Sequence, residues 1–391
     1  MELHFASRLD SFEEGIFAVL NEKKNELLAR GMKVYNMSVG TPDFVPAQHI
    51  MDAVSEAAKK PENYRYSLTD LPELLDAVSH HYETRFGVSG IRHEEIMSVY
   101  GSQEGMAHIA MALCDPGDVV LVPDPGYPVF SAGPFLCGAE IRTYELYPEN
   151  DYLIDFDAIP EDLARAAKCM IVSYPLNPVC KKAPDSFYPK LIEFAKKYNI
   201  IILHDNAYSD IVFGGRPGRS FLCFEGAREV GVEFYSLSKS YNYTGARMSF
   251  VIGNEEIVNR FKRVRSQIDY GIFLPVQYGA IAALTGPQDQ VEDQCRQYEE
   301  RSRVLSESLT EAGWPVPLSE GTMFAWAPIP AGFKDSESFV LELMEKTGMI
   351  VTPGSSFGPL GEGHVRFALV LPPETIREAA AKVKASGILN R

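Results

Sequence analysis

Short β-forming runs alternate with segments of helical spacing between Ile96 and Ile252, and this alternation limits the fold more than any other feature. Strands that alternate with helices form βα units, whose strands assemble into a mostly parallel sheet covered on both faces. The predicted strands are Ile96–Val99, Val119–Val122, Met170–Ser173, Ile200–Leu203, Glu233–Ser236 and Met248–Ile252. We therefore predict an α/β fold that binds its ligand beyond the carboxyl ends of these strands.

The sequence changes in character after Asn254, which indicates a second domain. A mainly helical stretch, Val276–Gly313, is interrupted near Gly286-Pro287 and is followed by predicted strands near Met323–Ala327 and His364–Leu369. An N-terminal helix is expected over Glu13–Ala29. We predict an N-terminal arm with part of the small domain at 1–45, a large domain at 46–285 and a small α+β domain at 286–391.

Composition and charge narrow the functional classes. The 391 residues are 46% hydrophobic and carry a net charge of −16, which argues against a nucleic-acid surface, since that needs a basic stripe. Met1–Leu20 has no apolar signal core, and no run of about 18 apolar residues predicts a membrane span. The six cysteines show neither a Cys-x-x-Cys pair nor metal-ligand spacing, so we expect thiols, no metal and a cytoplasmic location.

Lys239 stands in the string Ser236-Leu237-Ser238-Lys239, with Arg247 eight positions later. A lysine amine can form an imine with a carbonyl cofactor, whereas hydroxyl groups and an arginine fork suit a phosphate. A cofactor with both an aldehyde and a phosphate is pyridoxal phosphate. Taken alone, the motif also fits a solvated surface lysine.

Asp205 follows the apolar run Ile200–Leu203, where a buried carboxylate needs a cation or several hydrogen-bond donors. One interpretation is a helix cap for Asn206–Ile211. The other is an ion pair with a protonated pyridine nitrogen, which keeps the ring electron-poor. Tyr208 lies one helical turn on, so its phenol is expected to face the same ligand.

Three turns complete the predicted site. Gly101-Ser102-Gln103 opens a helical run, where backbone N–H groups and the helix dipole can bind an anion, although an empty Ser cap is the more common case. Asn177 precedes a proline and can donate to a phenolate oxygen. Tyr127 lies in a proline-rich turn and can offer a ring face for stacking. Each of these two residues is equally well explained as a structural turn residue.

Arg366 lies in an apolar predicted strand and therefore needs an anionic partner. A substrate carboxylate would fit its bidentate fork, and an internal salt bridge is the alternative.

In their order and spacing, these residues resemble the fold-type I pyridoxal-phosphate enzymes of aminotransferase class I/II across nearly the whole chain. The strings Asp124–Pro128, Phe194–Tyr198, His204–Tyr208, Ser236–Thr244 and Val276–Leu284 are similar to those of LL-diaminopimelate aminotransferases and of the neighbouring alanine/aspartate-type enzymes. The resemblance implies a large domain with a mostly parallel seven-stranded sheet and a smaller α+β domain. It also implies pyridoxal 5'-phosphate as cofactor and a homodimer as the functional unit.

The resemblance also implies a role for each residue. Lys239 is the Schiff-base lysine and moves the substrate proton, and Asp205 pairs the ring nitrogen. Asn177 and Tyr208 hold the ring oxygen, with Asn177 also lining the substrate site. The remaining roles are ring stacking by Tyr127, phosphate binding by Gly101, Ser102, Gln103, Ser236, Ser238, Arg247 and Tyr66 of the partner subunit, and α-carboxylate binding by Arg366 with Gly40 nearby.

Several positions depart from the family pattern. Val179-Cys180 replaces the usual Thr-Gly after Asn177-Pro178, Ala246 replaces a bulky aromatic residue, and Ser249 replaces a glycine. These changes affect pocket walls and turns, so they bear on the choice of substrate. The segment Asp269–Phe273 lacks an arginine for a distal carboxylate, which weakens an aspartate-specific interpretation.

The expected activity is transfer of an amino group from an L-amino acid, such as LL-diaminopimelate, alanine or aspartate, to a 2-oxo acid such as 2-oxoglutarate. A β-eliminating C–S lyase or a decarboxylase on the same fold is the first alternative, because pocket shape decides between these outcomes. A non-catalytic cofactor-binding regulator is the second alternative, but the chain has no appended DNA-binding domain and is acidic.

Overall fold

The computed structural model of the protein describes residues 1, 3–12, 16–215 and 218–390. The chain folds into two compact units. The larger unit comprises Thr41–Glu299 and Glu320–Met323, and the smaller unit comprises Met1–Gly40, Glu300–Ser319 and Phe324–Arg391. The predicted domain bounds, at 45/46 and 285/286, remain predictions: they lie 5 and 14 residues from the bounds of this division, and Glu320–Met323 of the larger unit falls within the predicted small domain.

The described residues form regular elements along the whole chain. The strands are β1 Tyr35–Asn36, β2 Ile96–Val99, β3 Val119–Asp124, β4 Glu140–Glu145, β5 Ala167–Ser173, β6 Ile201–Asn206, β7 Gly231–Ser236, β8 Ser249–Gly253, β9 Phe324–Pro328, β10 Met349–Ile350, β11 Thr352–Pro353 and β12 His364–Ala368. The α-helices are α1 Ile16–Ala29, α2 Gln48–Ala58, α3 Pro72–His81, α4 Ser102–Leu113, α5 Val129–Leu136, α6 Glu161–Ala166, α7 Phe187–Tyr198, α8 Ala227–Val230, α9 Leu237–Ser240, α10 Glu255–Arg265, α11 Leu274–Thr285, α12 Asp289–Ala312, α13 Ser336–Thr347 and α14 Pro373–Ser386. Within the described part of the chain, no helix combines the length and the apolar character needed to cross a membrane.

The larger unit is built on a seven-stranded sheet with the order β2-β8-β7-β6-β5-β3-β4. Strand β8 is antiparallel to both of its neighbours, and the remaining pairs are parallel. Consequently the carboxyl ends of β2, β3, β5, β6 and β7 and the amino end of β8 lie along one edge of the sheet, here named the site edge. The predicted mostly parallel seven-stranded sheet is confirmed.

Helices cover the sheet because their apolar positions fall on one side. In α7, the residues Phe187, Leu191, Ile192 and Ala195 are buried, and the helix ends at Asn199 in the left-handed conformation, with φ 58°. Strand β7 is buried along its full length and β5 at every residue except Lys168, so β5 contains the uninterrupted apolar run Cys169–Val172 rather than an alternating pattern. Each large apolar side chain buried in this core contributes about 1.5–3 kcal/mol of transfer free energy.

The structure differs from the sequence-based expectations in two places. Strand β4 was not predicted, because its sequence Glu-Ile-Arg-Thr-Tyr-Glu is polar and half-exposed, as expected for an edge strand. The segment Asn206–Ile211 is not helical: β6 extends to Asn206, and bends and turns follow it. The expected N-terminal helix exists as α1, whereas residues 13–15 of that prediction lie outside the described residues.

The smaller unit contains a three-stranded antiparallel sheet, β11-β12-β9, and a short parallel pair, β1-β10. Its core includes the buried ring of Trp314, which lies 5.0 Å from the ring of Phe339 in α13 and 5.3 Å from that of Phe367 in β12. This unit is therefore an α+β structure with its own hydrophobic core.

Candidate active site

Asp205 lies at the site edge, where it pairs with Ser173 of β5 and Phe234 of β7. Its carboxyl group is buried, and its Oδ1 atom accepts no hydrogen bond from any residue that the structure describes. Burial raises the pKa of Asp205 from 3.8 to about 6, although His204 and a hydrogen bond from Ser173 act to lower it. Such a carboxylate gains most from a cationic partner. The helix-cap interpretation of Asp205 is wrong, because no helix follows it.

The segments that follow β6, β5 and β3, which are consecutive in the strand order, bring further candidate residues to the site edge. Asn177 and Tyr208 are buried and follow the carboxyl ends of β5 and β6. Tyr127 follows β3, and its hydroxyl donates to Oε1 of Gln103 at 3.1 Å. The sheet topology thus brings these four side chains to one edge from positions far apart in sequence.

The amino end of α4 presents backbone N–H groups at the same edge. Gly101 precedes the helix with φ 89°, and the first N–H groups of an α-helix have no acceptor within the helix. The Ser102 hydroxyl donates to Oγ of Ser249 at 3.2 Å, so the serine that replaces the family's usual glycine contacts this turn. Helix amides of this kind bind phosphate oxygens well.

Arg247 brings positive charge to the same turn. Its backbone is left-handed, with φ 56°, and its Nη1 donates to the Thr244 carbonyl oxygen at 3.0 Å. A Cβ atom built on Gly101 would lie only 2.8 Å from Cζ of Arg247. The guanidinium and the helix start are therefore in direct contact, and glycine is required at position 101.

Lys239 lies on the one-turn helix α9 and is half-buried, which argues against a fully solvated surface lysine. The Ser236 hydroxyl caps this turn by accepting from the Ser238 N–H at 3.1 Å. Thr244 Oγ1 donates to the Ser238 carbonyl oxygen at 2.8 Å, and Gln294 Nε2 donates to the Lys239 carbonyl oxygen at 2.7 Å. Three hydrogen bonds thus hold the backbone of the turn that carries the Lys239 amine.

Asp210 joins the Tyr208 segment to the Lys239 turn. Its Oδ2 accepts from Ser240 Oγ and from the Tyr235 hydroxyl, both at 2.7 Å, and Arg85 Nε lies 2.8 Å from its Oδ1. Burial opposes ionisation of Asp210, but Arg85 and the hydrogen bonds together hold its pKa below the ordinary value. These tertiary bonds also explain why the segment after β6 does not form the local helix that its sequence allows.

Cys180 occupies the turn after Asn177-Pro178. It has φ 63°, a conformation that favours glycine, and its thiol donates to the Pro178 carbonyl oxygen at 3.1 Å. The Cys180 N–H donates to the Leu176 carbonyl oxygen at 2.7 Å. The turn therefore adopts the conformation expected of a glycine-containing turn even though it contains a cysteine.

Arg366 and Gly40 belong to the smaller unit. Arg366 lies in β12 opposite Thr352 and Trp326, is 5% exposed, and donates through Nη2 to the Ser38 carbonyl oxygen at 3.1 Å. Gly40 packs against the ring of Phe324, whose Cζ would lie 2.6 Å from a Cβ at position 40.

Tyr66 is 78% exposed, and its ring lies 5.1 Å from that of Tyr270. It therefore faces outward rather than into the core of the larger unit.

The described residues fit pyridoxal phosphate on three counts. A buried carboxylate oxygen of Asp205 has no hydrogen-bond donor among the described residues, which suits a protonated ring nitrogen. The start of α4 and the Arg247 guanidinium meet where a phosphate needs donors. A half-buried lysine stands on a fixed turn at the same edge of the sheet.

Four residues, two in each unit, were not predicted from the sequence. They are Asp210, Gln294, Phe324 and Phe357, the last two of which contact Arg366. For Asp210 a signal existed, because an acidic residue inside the apolar run Tyr208–Phe213 needs buried partners. Gln294 and Phe324 are revealed only by contacts with residues 55 and 42 positions away, and Phe357, nine positions before Arg366, is revealed only by its contact with that residue.

Comparison with known families gives a match over most of the chain. The model of the family "Aminotransferase class I and II" matches residues 32–383. LL-diaminopimelate aminotransferase from Desulforudis audaxviator is 41% identical over 99% of this chain and 98% of that protein. The enzyme of the same name from Moorella thermoacetica is 40% identical over 97% of each chain.

Solved structures agree with these sequence relatives. Substrate-bound BacF from Bacillus subtilis superposes with a TM-score of 0.94 at 34% identity, covering 98% of both chains. A probable N-succinyldiaminopimelate aminotransferase from Thermus thermophilus gives a TM-score of 0.90 at 34% identity, over 95% of this chain and 100% of that one. The resemblance and the fold predicted from the sequence are confirmed.

Proposed function

Since the chain belongs to the aminotransferase class I and II family and is an aminotransferase, we propose a donor and an acceptor for it. The proposed amino donor is LL-diaminopimelate, and the proposed acceptor is a 2-oxo acid such as 2-oxoglutarate. One observation carries the choice of donor: relatives about 40% identical along almost the whole chain bear the name LL-diaminopimelate aminotransferase. The absence of arginine from Asp269–Phe273 argues against a donor site specific for aspartate.

We propose that the site edge holds pyridoxal phosphate. When bound, this cofactor supplies an aldehyde carbon that condenses with amines and an electron-withdrawing ring. The Asp205 carboxylate pairs with the ring nitrogen, Asn177 and Tyr208 donate to the ring oxygen, and Tyr127 stacks on the ring. The phosphate is bound by the N–H groups of Ser102 and Gln103 after Gly101, by the hydroxyls of Ser236 and Ser238, and by Arg247.

In the proposed mechanism, Lys239 is the group that moves the proton. With the cofactor bound, the substrate amine would replace the Lys239 amine on the aldehyde-derived carbon, and the freed Lys239 amine would move the proton from the substrate Cα to that carbon, two bonds away. The bonds from Gln294 and Thr244 hold the backbone of its turn, so the flexible side chain moves over a fixed base. Arg366 binds the α-carboxylate through its fork, with Gly40 and Asn177 beside the substrate.

We further propose a homodimer in which Tyr66 of the partner subunit reaches the phosphate. An exposed apolar surface supports this proposal, because monomers seldom expose contiguous aromatic patches. Three of its exposed residues are close in sequence: Tyr64, Tyr66 and Leu68. The other two are Phe273, whose ring contacts that of Tyr64, and Tyr270, whose ring contacts that of Tyr66. The cytoplasmic location suggested by the cysteine pattern stays a prediction.

A donor panel tests the proposed substrate. Each amino acid is added to the holoenzyme without acceptor, and the absorbance change of the bound cofactor is followed. LL-diaminopimelate should give the highest second-order rate, and 2-oxoglutarate should then be converted to glutamate. A faster reaction with alanine or aspartate would contradict the proposed donor, and pyruvate release from cystathionine without acceptor would favour a lyase.

Mixing two inactive variants tests the contribution of Tyr66 across the dimer. Lys239→Ala and Tyr66→Ala subunits are dissociated and reassociated together. If Tyr66 acts on the neighbouring site, each mixed dimer regains one intact site, and about a quarter of wild-type activity returns. If Tyr66 acts within its own chain, mixing restores nothing. Leu68→Arg should yield monomers, whereas Leu318→Arg, at another exposed leucine outside this surface, should not.

A further inference from the structure

The guanidinium of Arg366 contacts two phenyl rings. Its Cζ lies 4.1 Å from the ring centroid of Phe324 and 4.6 Å from that of Phe357, over the face of each ring. Both phenylalanines are buried, at 2% and 4% exposure. Cation–π contacts of this length are attractive, and they are strongest when desolvated. We name Phe324 and Phe357 the aromatic clamp.

The segment after β1 contacts both Arg366 and Phe324. The Ser38 carbonyl oxygen accepts from Arg366 Nη2 at 3.1 Å and from Thr352 Oγ1 at 3.0 Å. Two residues on, Gly40 leaves space for the ring of Phe324, because a Cβ there would lie 2.6 and 2.8 Å from ring atoms. The ring of Phe324 therefore has little room to turn away from the guanidinium.

The second ring is held by an aromatic neighbour. Trp326 lies opposite Arg366 in the sheet, and its ring meets that of Phe357 edge-on at 5.9 Å. His364 stacks on Trp326 at 5.0 Å with an interplanar angle of 5°. Phe357 is thus packed between a fixed tryptophan and the arginine.

We propose that Phe324 and Phe357 are positioning residues that set the orientation of Arg366 for the α-carboxylate of the substrate. The proposal rests on the carboxylate-binding role of Arg366 given above. An arginine side chain loses much rotamer freedom when it binds, and a guanidinium held in place beforehand loses less. Because the two rings contact the guanidinium through its Cζ, they hold the plane of its N–H groups in one orientation, and a planar carboxylate binds an arginine fork in that plane.

The test compares substrates with and without a carboxylate. Phe324→Leu and Phe357→Leu remove the ring faces while keeping an apolar side chain. We expect the KM of both the amino acid and the 2-oxo acid to rise roughly 2- to 30-fold, the range of cation–π free energies converted into affinity. The turnover number should change much less. The half-reaction rate with a simple alkylamine, which has no carboxylate, should stay within about twofold of wild type.

Phe367→Leu is the matched control, because Phe367 lies next to Arg366 in β12 but packs against Trp314. It should lower the melting temperature without changing KM. The proposal is overturned if the clamp variants keep wild-type KM values, or if they slow alkylamine and amino acid equally.

Arg366→Met separates this proposal from the role of Arg366 itself. If Arg366→Met raises KM for carboxylate substrates and the clamp variants do not, the clamp proposal alone fails. If Arg366→Met leaves the preference for amino acids over alkylamines intact, the assignment of Arg366 to the carboxylate fails, and the clamp proposal fails with it.

Discussion

The Arg247 guanidinium fills the space that a side chain on Gly101 would need. A Cβ at Gly101 would lie 2.8 Å from Arg247 Cζ, and both residues have left-handed backbones, with φ 89° and 56°. The contact joins the start of α4 to the segment that precedes β8. It brings an arginine and a set of helix amides together at the place proposed for a phosphate.

Gly101→Ala should therefore weaken the binding of pyridoxal phosphate, and the loss of affinity should exceed what the loss of folding stability alone would cause. Displacing Arg247 removes a charge-assisted contact, which predicts roughly a 10- to 100-fold weaker Kd for pyridoxal phosphate. The measurement is a fluorescence titration of the cofactor-free protein, with a parallel thermal melt.

Gly87→Ala is the matched control for this substitution. Gly87 has φ 74°, but a Cβ there would meet no described atom within 4 Å. It should cost about 1–2 kcal/mol of stability from backbone strain alone and leave the Kd unchanged. Equal losses of affinity in both variants would contradict the proposed phosphate site.

Lys239→Ala should abolish the reducible bond between protein and cofactor. Borohydride treatment of the wild-type holoenzyme should add the mass of the reduced cofactor to the peptide that contains Lys239, and the variant should show no such adduct. Transamination should fall at least about 100-fold, because the proton-transfer group is lost. Lys262→Ala, another half-buried lysine, should keep both properties; an adduct that survives in Lys239→Ala would refute the assignment.

Asp205→Asn should stabilise the cofactor-free protein above pH 6 while removing activity. Burial raises the pKa of Asp205 to about 6, so the folded state holds this proton more tightly than the unfolded state does. The resulting stability is present below pH 3.8 and is lost as pH rises to about 6. At about 1.4 kcal/mol for each pH unit, the loss is about 3 kcal/mol.

Denaturant melts at several pH values check this expectation. The cofactor-free wild type should lose stability between about pH 4 and pH 6 relative to Asp205→Asn, and cofactor binding should tighten over the same range as the carboxylate forms. The exposed Asp157→Asn should follow wild type. If the variant and wild type show the same pH dependence, Asp205 does not carry the shifted pKa.

Cys180→Gly should be more stable than Cys180→Ala by about 1 kcal/mol, the reverse of the usual order. The left-handed φ of 63° strains any residue with a Cβ, and glycine relieves that strain. Thermal melts of both variants measure the difference. The same pair of substitutions at Cys223, which lies in a short 3₁₀ helix, should show alanine as the better residue.

The sequence predicted those strands whose burial gives a recognisable local pattern of apolar residues. Strand β5 is covered on both faces, and its residues Cys169–Val172 form a short apolar run in the sequence. Strand β4 has no such apolar pattern, because half of its residues are exposed at the edge of the sheet. It is recognised as a strand only by its pairing with β3. The segment after Asp205 misled the prediction, since the inward bonds of Asp210 outweigh its local helix preference.

For the candidate site, the sequence determined the chemistry, and the tertiary structure determined the arrangement. Asp205 lies near the carboxyl end of β6, Lys239 follows β7 and Arg247 precedes β8. A mostly parallel sheet collects such positions along one edge. The contacts of Gln294 with Lys239 and of Phe324 with Arg366 join residues that are about 40–55 positions apart in the chain. The sequence specifies the side chains and their local spacing. Contacts between residues so far apart depend on the packing of helices and strands in the tertiary structure.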